Sequence, residues 1–166
     1  LQDVGFKKAS IFYAIDRFAA SFEIRKQLED GYIVLSNRYV SASMGHQGAQ
    51  ITDPEERKRF FDWLYELEFE IFDIPKPDLN IILHVSAEIG QQLVDQKASR
   101  DYLGEKKRDL IEQDLKHLQA AEKVYLEISQ MFDNFTLIEC VENGTIMTRE
   151  AINDLIWKTI QPHIHE

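Results

Sequence analysis

The clearest candidate for chemistry is the tripeptide Asn37-Arg38-Tyr39, which follows a short apolar run. The arginine guanidinium carries five donors in a planar fork that suits phosphate, and its hydrogen bonds strengthen where water is excluded. If the apolar run is a buried strand, Arg38 stands at its carboxyl end, where open parallel sheets bind ligands. A surface ion pair between Arg38 and a carboxylate explains the same position equally well.

Tyr13 and Arg17 form a second candidate, because residues four apart share one face of a helix. A flat aromatic ring beside a fixed cation could stack on a nucleobase while the cation holds its phosphate. The residues alone favour an ordinary structural role, with Tyr13 at the margin of the core and Arg17 paired with Asp16 or Glu23.

The third candidate is the basic segment, residues 97–108, which contains five cationic and two acidic residues. The cations are Lys97, Arg100, Lys106, Lys107 and Arg108. In an acidic chain this local reversal of charge is informative. It suits a flap that closes over a polyphosphate, although a solvated loop has the same composition.

Other polar residues carry no recognisable catalytic pattern. No Gly-x-Ser-x-Gly nucleophile motif is present, and no residue is assigned to a metal. His84 reads as a structural strand residue and Cys140 as an inert core residue. Glu66, Glu68 and Glu70 read as the solvated side of a helix.

The composition narrows the classes of function. The chain has 166 residues, 29 of them acidic and 19 basic, a formal charge of −10 and one cysteine. This charge argues against a nucleic-acid coat, and one cysteine excludes an internal disulfide. No apolar stretch reaches membrane length and no signal sequence opens the chain. We therefore expect a soluble, cytoplasmic protein with one domain over 1–166.

The elements that must position these residues follow from hydrophobic periodicity and capping signals. The predicted helices are 9–30, 53–74, 87–96, 109–131 and 148–163, and the predicted strands are 32–36, 79–85 and 135–140. Strands that alternate with helices predict an α/β fold, with a parallel sheet covered on both faces in three layers. Three strands are few for this cover, so we expect the native sheet to hold more.

Two apolar stripes mark the faces that these helices should bury. They are Ile11, Ile15, Phe18 and Phe22 in the first helix, and Phe60, Leu64, Leu67 and Ile71 in the second. Gly31 is placed to cap the first helix, and Asp53-Pro54 to begin the second.

Four segments together resemble the thymidylate kinases, a family of P-loop nucleoside monophosphate kinases. They are residues 10–17, 31–39, 46–48 and 77–79, and the basic segment before a long helix resembles the lid of that family. The resemblance covers nearly the whole chain. It implies a P-loop kinase fold and transfer of the γ-phosphoryl of ATP to dTMP, giving dTDP, with Mg²⁺ as cofactor.

The resemblance also implies a role for each matching residue. Tyr13 takes the place of the aromatic residue that stacks on thymine. Arg17 corresponds to the arginine that contacts the dTMP phosphate and base. Ser43, His46 and Gln47 fall where the family reads the edges of thymine and deoxyribose, with His46 in place of the more usual Tyr.

Four further residues are implied in the phosphoryl transfer itself. Arg38 corresponds to the arginine at the phosphoryl-acceptor site, and Arg100 and Arg108 to lid arginines that stabilise the transferring group. Asn37 stands where the family usually has Asp, and a neutral amide lacks the charge that a carboxylate offers near Mg²⁺.

The largest departure from the family is that no Gly-x-x-x-x-Gly-Lys-Ser/Thr loop occurs in the 166 residues. In the family this loop follows the first strand, so we expect an N-terminal strand-loop-helix unit to be missing before Leu1. The resemblance further implies a homodimer, formed through helices that include the Phe60/Leu64 helix. The alternatives are a non-catalytic nucleotide-binding relic and a kinase for another nucleoside monophosphate.

Overall fold

The computed structural model describes residues 4–97 and 106–164, with side chains for 4–93 and 115–164. These residues fall into two compact units, a first unit at 4–78 and a second unit at 79–164. The single domain predicted over 1–166 stays a prediction.

All the regular secondary structure described in the first unit is helical. It contains α1 (Phe6–Glu29), α2 (Val40–Gly48), α3 (Pro54–Tyr65) and a π-helical segment (Glu66–Ile71) that continues α3 without a break.

The glycine cap predicted for α1 is confirmed. Gly31 has a φ of 83°. Its N–H donates to the carbonyl of Leu28 over 3.0 Å, and the N–H of Tyr32 donates to that of Gln27 over 2.9 Å. This pair of bonds is a Schellman motif, which needs the left-handed backbone that glycine adopts without strain.

The face that α1 buries is not the predicted apolar stripe. Phe22 is 63% exposed, and Ile15 is 51% exposed. The buried residues of α1 are instead the small side chains Ala9, Ser10, Ala14 and Ser21. Small residues let a neighbouring helix backbone approach closely, and within this unit α1 contacts α2. The buried face of α1 is therefore the one whose small side chains permit close packing.

The strand predicted at 32–36 is wrong. The run Tyr32–Leu35 has no regular secondary structure and pairs with no strand among the described residues, and Leu35 is 93% exposed. An apolar run becomes a buried strand only where neighbours satisfy its backbone groups and cover its faces. Asn37 and Arg38 consequently lie in the loop before α2, not at a strand end.

The start of α3 is as predicted, but its continuation is not. The Asp53 side chain accepts hydrogen bonds from the N–H groups of Glu55 and Glu56, and Pro54 occupies the first turn. Phe60 and Leu64 are buried as predicted, whereas Ile71 is 65% exposed. A π-helix bonds over five residues rather than four, so it carries the later side chains off the α-helical register.

The second unit confirms two of the three predicted strands and their parallel pairing. Strand β1 (Asn80–His84) pairs with β2 (Phe135–Glu139) in a two-stranded parallel sheet whose register sets His84 opposite Glu139. The chain is thus α/β and mostly helical, with a small parallel sheet that is compatible with a P-loop kinase fold. The three-layer arrangement and the absent N-terminal unit stay predictions.

The remaining elements of the second unit include one that the periodicity did not predict. The predicted helices are present as α4 (Ala87–Lys97), α5 (Lys106–Met131) and α6 (Arg149–Ile160). The unpredicted hairpin joins β3 (Val141–Glu142) to β4 (Thr145–Ile146). Asn143 and Gly144 form its turn with φ values of 51° and 75°. Asn-Gly is the usual sequence for such a two-residue turn.

Two further predictions concern the burial of Cys140 and membrane-spanning segments. Cys140, predicted as a core residue, is buried. Across the described residues, every helix is too short or too polar to cross a bilayer.

Candidate functional site

The best-defined polar site lies in the first unit and centres on Arg17. The side chain of Arg17 is 12% exposed. Its Nε donates to Oε2 of Glu68 over 2.5 Å, and its Nη2 donates to Oε1 of the same carboxylate over 2.6 Å. This is a bidentate ion pair, the geometry in which a guanidinium and a carboxylate bind most strongly.

Two further donors of Arg17 reach the α2 side of the unit. Nη2 also donates to Oγ of Ser43 over 3.0 Å, and Nη1 makes a longer contact of 3.4 Å to the carbonyl of Tyr39. Arginine has five N–H groups, so four are committed and one on Nη1 has no partner in the part of the chain that the structure describes. We call Arg17, Ser43 and Glu68 the Arg17 site.

Glu68 is the residue of this site that the sequence interpretation misplaced. The sequence interpretation predicts it on the solvated side of a helix, yet it is 0% exposed. Burial raises the pKa of the Glu68 carboxyl above its usual 4.5, and the Arg17 guanidinium offsets only part of that rise. A usable signal existed, because Glu68 follows Leu64 by four residues and so shares its buried face.

Tyr39 anchors the loop that leads into α2. Its hydroxyl donates to the carbonyl of Pro75 over 3.0 Å, while its own carbonyl faces Arg17. Burial, reinforced by the nearby charge of Glu68, raises the pKa of Tyr39 to about 12. The phenol therefore stays protonated and keeps its role as a donor at any physiological pH.

Arg38 and Asn37 lie on the exposed side of the same loop. Arg38 has a φ of 71°, and its carbonyl accepts a hydrogen bond of 2.7 Å from the Ser36 hydroxyl. Left-handed backbone at a residue other than glycine is strained and tends to occur at functional positions. Within the described residues, no hydrogen bond or ion pair holds the Arg38 side chain, so its charge is uncompensated.

The other predicted binding residues flank this centre. Tyr13 lies one turn before Arg17 on α1 and is 41% exposed. Ser43, His46 and Gln47 lie on α2, with Ser43 and Gln47 buried. The structure brings Arg17 and Ser43 into direct contact and leaves the ligand contacts of all these residues as predictions.

The two predicted lid arginines have no side chain among those that the structure describes. Arg100 lies outside the described residues. Arg108 belongs to the first turn of α5, but its side chain is outside the described part of the chain. No three His, Cys, Asp or Glu side chains group as metal ligands among the residues searched, so the described residues offer no fitted site for Mg²⁺.

A second polar cluster lies at the carboxyl ends of β1 and β2, and we call it the His84 cluster. Nδ1 of His84 lies 2.6 Å from Oε2 of Glu139, and Nε2 lies 3.0 Å from Oε1 of Glu122. The second oxygen of Glu122 accepts the N–H of Ala87 at the start of α4 over 2.9 Å. Burial opposes protonation, but the two carboxylates outweigh it and raise the pKa of His84 above 6.5.

Comparison with curated proteins finds relatives that are similar in sequence over part of the chain. The chain is 29% identical over 117 residues to a thymidylate kinase of Mycobacterium tuberculosis, covering 70% of this chain and 53% of that protein. It is 32% identical over 93 residues to a probable thymidylate kinase of Pyrobaculum aerophilum, covering 55% and 43%. A probable thymidylate kinase of Thermoplasma volcanium is 31% identical over 84 residues, covering 48% and 42%.

These matches confirm the resemblance to thymidylate kinases that the motifs indicated. The chain spans about half the length of the curated relatives it matches. No established protein-family profile matches it.

Proposed function

We propose that this chain belongs to a nucleoside monophosphate kinase that acts on dTMP, converting it with ATP to dTDP. The observation that carries the proposal is the hydrogen bond between Arg17 and Ser43, because it joins two predicted substrate residues from different helices. The curated relatives named thymidylate kinase support the same assignment.

The two arginines of the first unit suit different parts of a nucleotide. Glu68 neutralises the charge of Arg17. Arg17 therefore offers a ligand one directed N–H group and little net charge. Arg38 is exposed and its charge is uncompensated among the described residues, which suits a phosphate dianion. We assign the phosphate of dTMP to Arg38, and Tyr13 with Arg17 to the base.

The proposed reaction is in-line phosphoryl transfer, in which positioning and charge stabilisation provide most of the catalysis. ATP and Mg²⁺ are part of the proposal, and Mg²⁺ would neutralise charge on the transferred phosphates. Since the described residues include no fitted metal site, no step is assigned to a metal-bound group. The residues of this chain would bind and orient the acceptor nucleotide.

A homodimer in the cytoplasm completes the proposal. Phe60 and Leu64, on the helix named for the dimer, are buried within a single chain. That helix would therefore contribute a different face, such as the side that carries exposed Tyr65.

One observation favours a second candidate, a nucleotide-binding protein without phosphoryl transfer. The 166 residues contain no Gly-x-x-x-x-Gly-Lys-Ser/Thr loop. That loop holds the donor phosphates in P-loop kinases, whereas the Arg17 site would bind only the acceptor. Both candidates predict dTMP binding, and only the kinase predicts turnover.

Calorimetric titration of the 166-residue chain with dTMP, dUMP, CMP and AMP tests the binding step. We expect dTMP to bind most tightly. A coupled assay for dTDP, with ATP and Mg²⁺, is then run on this chain and on the protein expressed from its natural start codon. Preference for another nucleotide would reject the substrate, and dTMP binding without dTDP formation by either protein would select the non-catalytic candidate.

A further inference from the structure

We propose that Glu68 is a positioning residue, which holds the plane of the Arg17 guanidinium so that its one uncommitted N–H is presented to the bound nucleotide. The inference rests on the proposed function, because it assigns a role at the same acceptor site. It concerns a residue that neither the motifs nor the resemblance had singled out.

The contact between the two side chains fixes an orientation as well as a distance. Two parallel hydrogen bonds, of 2.5 Å and 2.6 Å, tie both oxygens of Glu68 to Nε and Nη2 of Arg17. A single bond would leave the guanidinium free to rotate about it, whereas a two-point contact defines the plane. With Nε and Nη2 committed, Nη1 is the nitrogen left to meet a ligand.

The backbone beneath Glu68 keeps the carboxylate in place. The π-helical segment is closed by hydrogen bonds from the N–H of Phe72 to Leu67 and from the N–H of Ile74 to Glu68, each of 3.0 Å. Because Glu68 is 0% exposed, it cannot swing into water to release Arg17. Single π turns inside helices recur at functional sites, where they re-aim a side chain.

A purely structural role explains this arrangement less well. Removing a carboxylate from water is costly, and apolar residues of similar size often replace a buried ion pair without loss of stability. An ion pair at this position gives the core little that a leucine would not provide. It does provide an arginine whose free donor is oriented before the ligand arrives, which reduces the ordering cost of binding.

The first test compares Glu68→Gln with Glu66→Gln by titrating the full chain with dTMP. Both variants remove one negative charge from the same π-helical segment, but Glu66 is exposed and has no ion pair in the described residues. We expect the dissociation constant for dTMP to rise about tenfold or more in Glu68→Gln, as for loss of one oriented hydrogen bond to a charged group. Glu66→Gln should stay within about twofold of the unmodified chain.

Circular dichroism at the titration temperature verifies that both variants are folded. Unchanged affinity in a folded Glu68→Gln protein, while the unmodified chain binds dTMP, would overturn the inference and leave the proposed function standing. If the unmodified chain binds no nucleoside monophosphate, the proposed function fails and this inference fails with it.

A second measurement needs no variant at position 68 and covers the case in which Glu68→Gln does not fold. The Nε–H resonance of Arg17, assigned with Arg17→Lys, is followed by ¹⁵N NMR with and without dTMP. We expect this resonance to be protected from exchange in both states, because Glu68 keeps its hold while Nη1 meets the ligand. Loss of protection on binding would mean that Arg17 leaves Glu68 for the nucleotide, which contradicts a positioning role.

Discussion

In both the Arg17 site of the first unit and the His84 cluster of the second, a basic side chain pairs with glutamate. In the first, a guanidinium meets the fully buried carboxylate of Glu68. In the second, an imidazole lies between Glu122 and Glu139, and Glu139 is half exposed. Arginine stays charged at any accessible pH, whereas histidine gains or loses its charge near neutrality.

The difference shows what each arrangement can do. Arg17 keeps its charge at every accessible pH, which suits a donor that must be ready for a ligand. The His84 cluster joins β1, β2, α4 and α5 through contacts that strengthen when the ring is protonated. Its contribution to stability must therefore vary within the physiological pH range.

Breaking the ion pair of the Arg17 site should have the largest effect. Arg17→Met leaves the Glu68 carboxylate buried without a partner, which should lower the free energy of unfolding by about 3–5 kcal/mol. Urea denaturation at pH 7 measures this loss. The double variant Arg17→Met/Glu68→Leu should recover most of it, since neither charge remains.

The matched control is Arg25→Met, which removes another arginine of α1. Arg25 forms an exposed ion pair with Asp73. Such surface pairs contribute about 0–1 kcal/mol. Equal losses for the two single variants would show that the burial of Glu68 does not govern the Arg17 site.

Removing the titratable ring should have an intermediate effect that depends on pH. The pKa of His84 is raised in the folded state, so its stabilising contribution is complete below pH 6.5 and is lost as pH rises through the folded value. At pH 5.5, His84→Gln should cost about 1.5–3 kcal/mol, the range for hydrogen bonds to a charged group.

Urea denaturation from pH 5.5 to pH 9 measures this dependence, and the cost should shrink as pH rises. His117→Gln serves as a control, because it removes a histidine of α5 that lies outside the His84 cluster. A cost that stays constant over this range would show that protonation of His84 does not stabilise the second unit.

The smallest expected effect concerns Tyr39, which anchors the loop beside the Arg17 site. Tyr39→Phe removes the hydrogen bond to the Pro75 carbonyl and should cost about 1 kcal/mol at pH 7. The pKa of Tyr39 is raised to about 12, so its stabilising effect is complete below pH 10 and is lost as pH rises through 12.

Absorbance titration of the phenol follows this ionisation. The difference between the titrations of the unmodified chain and of Tyr39→Phe separates this phenol from the other tyrosines. Ionisation of Tyr39 near pH 10 would contradict the burial of its hydroxyl.

Local signals in the sequence predicted the parts of the fold that neighbouring residues control. Gly31 ends α1 and Asp53-Pro54 begins α3, because each cap is completed by groups within a few residues. The hairpin turn at Asn143-Gly144 has an equally local signal. Its strands were not predicted, because strands of two residues leave no periodicity to detect.

Predictions about burial succeeded only where the partner surface exists in the described structure. The run 32–35 has the composition of a buried strand but pairs with none of the described strands, and it is largely exposed. Phe18 and Phe22 lie on the predicted apolar stripe of α1, yet the buried residues of this helix are the small ones of another face. An apolar pattern states what a face could bury and does not name what covers it.

The sequence by itself therefore determined the helix caps, the parallel strands β1 and β2, and the spacing that sets Tyr13 one turn before Arg17. Each depends on interactions within one element or on a strong local pattern. Only the tertiary structure decided that Arg17 contacts Glu68 and Ser43. Glu68, in the π-helical segment, lies 51 positions from Arg17 in the sequence, and Ser43 lies 26 positions from it. The i, i+4 spacing from Leu64 indicates that Glu68 faces the core, but no local pattern identifies the distant side chains that meet it there.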